Sequence, residues 1–147
     1  MTRAGHLARR FVSSLSRRQP SGVEVAWAES QLLPPEAELW RRLSVADRRH
    51  SIIVAHRFAE FSSAPPSRDE IAGALLHDIG KVDTRLGTYQ RVVATVVGPR
   101  TDRFRRYHDH ERIGADMLRA AGSSDVTVQL VLGDGPGASA LRQADDI

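Results

Sequence analysis

At 147 residues the chain suits one domain built on one core and leaves no room for two. Its 41% hydrophobic and 27% charged residues are those of an ordinary globular protein, and no apolar run is long enough to span a bilayer. The absence of cysteine excludes disulfides and thiolate-bound zinc, so any metal must be held by nitrogen and oxygen ligands. A cytoplasmic, reducing location is the matching expectation.

The net charge of +3 is uneven. Residues 1–20 carry five arginines (Arg3, Arg9, Arg10, Arg17, Arg18) and no acid, whereas the remainder holds 16 basic and 18 acidic residues. The pI of 10.1 therefore reflects an arginine-rich balance and a basic N-terminus more than a nucleic-acid-binding face, and no defensible nucleic-acid motif is present. Lys81 is the only lysine, beside twenty arginines.

In chain order, Leu7, Phe11, Val12 and Leu15 recur at helical spacing among the first arginines, predicting a basic amphipathic helix over residues 1–22. The first expectation is that this stripe packs on the domain that follows, residues 23–147. Its composition also suits a transit peptide or contact with a membrane surface, the lesser readings. A short helix is expected from Val23 to Leu32, stopped by Pro34-Pro35, and another opens at Pro35 or Glu36. Ser44 and Asp47 form a capping pair ahead of an apolar face running from Val45 to Phe61. Pro65-Pro66 interrupts again. Ser67-Arg68-Asp69-Glu70 is a capping box, predicting a helix that runs to Asp78 and is ended by Gly80. Beyond the loop at Leu86-Gly87, the valine-rich run from Tyr89 to Val97 favours strand by propensity. A lone strand would have no partner, so helix is expected. Helices are also expected at 103–107, 111–121, 126–132 (again valine-rich) and 139–145. The fold class is therefore a compact all-α helical bundle.

Of the six histidines, His77 stands out. It ends a helix whose preceding residues, Ala72 to Leu76, are small or apolar, so the segment should be buried. An ionised Asp78 beside it would be costly without a cation or several donors. Adjacent residues point about 100° apart on a helix, so the pair can serve one ion only in a crevice at the helix end.

The stretch Leu75-Leu76-His77-Asp78-Ile79-Gly80-Lys81 resembles the signature of the HD superfamily of metal-dependent phosphohydrolases, in its His-Asp-Ile-Gly form. Arg48-Arg49-His50-Ser51-Ile52 resembles the family's upstream element and Ala140-Leu141-Arg142-Gln143-Ala144-Asp145 its closing one. Tyr107-His108-Asp109-His110-Glu111-Arg112-Ile113-Gly114-Ala115 resembles the middle one. In matching order from about residue 44 onward, the resemblance implies an HD-domain helical bundle. It implies metal ligands at His50, His77, Asp78 and Asp145, with His110 as a further candidate, and Mn, Fe, Co, Ni, Zn or Mg as the divalent ion. It implies hydrolysis of a small phosphorylated compound, nucleotides being the leading class, by metal-activated water, with Asp78 orienting the water and Lys81 contacting phosphate. Two-metal members carry another histidine where this chain has Gly133-Asp134-Gly135-Pro136-Gly137, which narrows the expectation to one metal. A different reading is a non-catalytic sensor or adaptor that binds a nucleotide on the same fold. His56 and His108 are expected to be non-ligands, and the sequence leaves the oligomeric state open.

Overall fold

A computed structural model describes residues 19–82 and 99–146, the last eleven before His110 by their backbone alone. The expected helices over residues 1–18 and from Tyr89 to Val97 lie outside the described residues. Those described form helices and connections with no strand: α1 (Gly22–Ser30), α2 (Pro34–Arg41), α3 (Val45–Phe61), α4 (Arg68–Leu75), a 3₁₀ turn (Ile79–Val82), α5 (Pro99–Ala120), α6 (Asp125–Val131) and α7 (Ala138–Asp145).

Local chemistry starts most of these helices. Ser21, Ser44, Ser67 and Ser124 each cap a first turn, accepting from the backbone N–H of Glu24, Asp47, Glu70 and Thr127. At Ser67 the box is reciprocal, because Glu70 accepts from the Ser67 N–H at 3.1 Å. α2 opens on Pro34, and Glu36 accepts from the Leu33 N–H at 2.8 Å.

α4 is the axis of the molecule. Every residue from Ile71 to Leu76 is buried, and α4 packs on α3 and α6. Its run Ile71-Ala72-Gly73-Ala74-Leu75 is apolar or small on all sides, as an enclosed helix must be. A Cβ on Gly73 would come within 2.9 Å of the Leu130 side chain, so the glycine sets how closely α6 approaches. Around this axis Trp40, Phe58, Leu75, Leu76, Ile79 and Leu118 are completely buried. α7 lies against α3, and α5 against both α6 and the 3₁₀ turn.

The helix expected at 126–132 is present as α6: Ser124 caps it, and Val128, Leu130 and Val131 face the core, so packing overrides the strand preference of valine. Two expectations change. The two helices expected at 103–107 and 111–121 are one helix of 22 residues. Finally, α4 stops at Leu75 and not at Asp78, and Gly80 does not end it. The chain tightens there into i→i+3 bonds, Ile79 N–H to Leu76 O and Lys81 N–H to Asp78 O, both at 3.0 Å. Gly80 instead lies against α5, where a Cβ would fall 2.1 Å from the His110 carbonyl oxygen. Gly114 faces it from α5, 3.2 Å from the Gly80 nitrogen by the same measure. Two glycines, one on each side, allow backbone to approach backbone.

Candidate metal centre

Three distant parts of the chain meet where α3, the turn after α4 and the end of α7 converge. His50 comes from the second turn of α3, His77 and Asp78 from the turn between α4 and the 3₁₀ segment, and Asp145 is the last residue of α7. Because His77 and Asp78 lie past the end of α4, the 100° divergence of successive helical side chains does not apply to them.

His50 Nε2 lies 2.9 Å from Asp145 Oδ1, and His77 Nε2 lies 3.3 Å from the same oxygen. His77 Nε2 is also 3.4 Å from Asp78 Oδ2, which accepts from Lys81 Nζ at 3.1 Å. The two imidazole rings are tilted at 56° with centroids 5.8 Å apart.

The orientation of His77 is fixed from behind. Its Nδ1 is 2.7 Å from the Ala74 carbonyl oxygen, and since a carbonyl only accepts, Nδ1 carries the proton. Nε2 then points into the cluster. It is buried, and although two carboxylate oxygens are within 3.4 Å, neither is placed to complete a hydrogen bond with it. In the neutral ring this atom is a lone pair facing two anions, an arrangement that is favourable only with a positive charge between them.

That demand appears in the titration of the group. Burial alone pushes the His77 imidazole down, but the charges of Asp78 and Asp145 outweigh it, and its pKa rises to about 10. Burial pushes Asp78 up, yet His77 and Lys81 hold its carboxyl well below the usual range against the opposing charge of Asp145. Burial likewise pushes Asp145 up, and His50 and His77 hold it far below. Without a metal, a proton on His77 supplies the missing charge.

A divalent cation fits the same place. The donor atoms of His50, His77 and Asp145 all lie within 4.8 Å of one another. Ligand atoms about 2.1 Å from a shared ion are separated by about 3.0 Å at right angles and about 3.4 Å at tetrahedral angles. The observed 2.9 and 3.3 Å match that spacing. Two imidazole nitrogens and a carboxylate suit first-row divalent ions. The carbonyl of Ala74 supplies the outer hydrogen bond by which ligating histidines are usually oriented.

Of the residues expected at the site, the structure thus joins His50, His77 and Asp145. Asp78 and Lys81 flank the group as an ion pair, outside the mutual 4.8 Å set. His110 is half-buried on α5 and also outside that set; its backbone carbonyl is what contacts Gly80. His56 is exposed and stacks on Trp27, centroids 4.1 Å apart, in keeping with a non-ligand role. The Ala74 carbonyl is the contributor that sequence reading missed. Its signal was the three-residue step from Ala74 to His77, which lets the ring reach back over the last turn of α4.

The model of the HD domain matches residues 48–134, and the chain belongs to that family. The matched span includes His50, His77, Asp78, Lys81 and His110, while Asp145 lies beyond it and joins the group through the fold alone. No curated protein and no solved structure matches the chain. Members of that family are typically metal-dependent hydrolases, and the His–Asp cluster is a group that could hold a metal. No described helix is long and apolar enough to cross a membrane.

Proposed function

We propose that this protein is a single-metal phosphohydrolase acting on a small phosphorylated compound, with nucleotides as the leading substrate class. The observation that supports it best is the His77 Nε2 lone pair, locked by Ala74 and aimed between two carboxylates.

On this reading His50, His77 and Asp145 hold the ion. A bound divalent metal lowers the pKa of water and offsets charge on a phosphoryl group. Asp78, kept ionised by His77 and Lys81, orients the attacking water as a hydrogen-bond acceptor. Lys81, about half exposed and paired with Asp78, would contact a phosphate oxygen. His110, whose backbone carbonyl meets Gly80, stays a further candidate ligand outside the three-residue set.

The test combines elemental analysis of the purified chain with a phosphatase and phosphodiesterase panel of nucleotides. The expected outcome is one equivalent of transition metal and turnover that vanishes in His77→Ala. A chain that binds a nucleotide tightly yet returns it intact after long incubation with Mn²⁺ would instead be a sensor or adaptor. That outcome is favoured by the small donor set, with His110 outside it.

A further inference from the structure

His50 reaches the cluster from a helix that is gripped on another of its sides. α3 runs against α7, and His50 Nε2 meets Asp145 Oδ1 there at 2.9 Å. The next residue, Ser51, is buried and turns toward α2, since successive side chains on a helix diverge by about 100°. Its Oγ accepts from Trp40 Nε1–H at 2.9 Å and donates to the Arg48 carbonyl at 2.7 Å. Trp40 is completely buried near the end of α2, and the Arg48 guanidinium lies over its ring, 5.9 Å from the centroid. The indole is therefore held by Arg48 and Ser51, one on either side of His50 in the chain.

We propose that Ser51, bonded to Trp40, is a positioning residue for His50: it fixes the rotation of the first turns of α3 about the helix axis, and with it where His50 Nε2 falls in the cluster. Side-chain tips stand about 5–6 Å from a helix axis, so a rotation of about 10° moves such an atom by about 1 Å. The geometry of a binding constellation has to be held within about 0.5 Å, so a slip of that size matters. Apolar contact has no preferred direction, whereas a hydrogen bond weakens steeply as its angle closes. A rotation that broke this bond would strand the single Trp40 donor in the core. The second bond, to the Arg48 carbonyl, spends the Ser51 proton and leaves the lone pairs of the hydroxyl for the indole. Ser51 acts only through His50. For a bound ion the proposal rests on the single-metal reading, whereas the placement of His50 beside His77 is a property of the chain alone.

The isotope-labelled full chain tests both parts. In the metal-free wild type the His50 and His77 rings, centroids 5.8 Å apart, should give ring-to-ring nuclear Overhauser cross-peaks. Ser51→Ala should lose them and lower Co²⁺ affinity, read from the visible absorption of the bound ion, at least about tenfold. Ser51→Thr, whose hydroxyl can bond the preceding turn in the same way, should restore both. Trp40→Phe removes the donor from the other partner and should repeat the Ser51→Ala result. The control is Thr127→Val, which deletes a buried hydroxyl bonded to the Asp69 carbonyl at 2.8 Å, at the far end of α4 from His77. It should lower the denaturant midpoint as Ser51→Ala does, yet leave the cross-peaks and the Co²⁺ affinity at their wild-type values. Cross-peaks retained in Ser51→Ala, or absent from the wild type, would overturn the proposal. So would a Co²⁺ affinity no lower in Ser51→Ala than in Thr127→Val, which would make Ser51 a packing residue. A wild type that binds no Co²⁺ would sink the metal-centre reading instead, and the cross-peaks alone would then decide the proposal.

Discussion

Among the described residues, Glu36 and His77 are two ionisable side chains buried among partners from several elements, and they are finished differently. Glu36 is wholly buried, and its carboxylate accepts from Leu33 N–H and Ser123 Oγ, both at 2.8 Å, with Arg68 Nη1 at 3.5 Å. Its lone pairs are answered, and it ties α2 to α4 and to the turn before α6. His77 is answered on one side only, by Ala74, while Nε2 faces like-minded acceptors. Completion marks a structural site, whereas the incompleteness at His77 is one that a cation would fill.

The sharpest separation of the two comes from Glu36→Ala. Removing one partner of a satisfied buried pair should cost about 3–5 kcal/mol, seen as a lowered denaturant midpoint, with metal content of the folded fraction unchanged. Asp145→Ala should do the reverse. Metal affinity measured by titration calorimetry should fall at least about 100-fold, with turnover lost alongside, while the helical circular dichroism falls by no more than the eight residues of α7 contribute. If Glu36→Ala also lost the metal at low temperature, the two sites would not be independent.

A geometric variant probes the floor beneath the cluster. Gly80→Ala would drive a methyl to 2.1 Å from the His110 carbonyl, and should cost about 1–3 kcal/mol as α5 is pushed away. Loss of stability without displacement of α5 amide resonances would count against that account.

Acidity sharpens the contrast further. In the metal-free protein the His77 pKa of about 10 exceeds its ordinary 6.5, so its contribution is full below 6.5 and is lost as pH rises toward 10. Asp78 and Asp145 are held below their ordinary 3.8, so theirs is present above that value and is lost as pH falls through the acid range. Metal-free stability should therefore peak between these limits, and thermal melts across pH would show it. Because metal must displace the His77 proton, affinity should rise about tenfold per pH unit above neutrality. The smallest effect belongs to His56→Ala, which removes only a surface stack and should cost about 0.5–1.5 kcal/mol with no change in metal binding.

What could be read in advance follows the range of the forces involved. Capping serines and proline pairs act over three or four residues, and the starts of α3 and α4 were legible from them. The order of His50, His77 and Asp145 was legible through the family resemblance, since spacing alone does not bring residues 95 apart together. Glu36 read as a residue that opens a helix, because its burial depends on Ser123 and Arg68, far along the chain. The early stop of α4 was likewise hidden: the turn that follows it lies against α5, where Gly80 meets the His110 backbone, a contact that local spacing does not encode.

The 95-residue separation of His50 and Asp145 makes the cluster a clasp as well as a site. α7 has only eight residues, and it reaches the domain through α3 and through the polar group at its final residue. On the single-metal reading, seating the end of α7 and binding the ion would be two faces of one equilibrium. A free metal concentration 100 times the dissociation constant would stabilise the assembled form by about 2.7 kcal/mol. Ion supply would thereby set how much of the population holds its last helix closed.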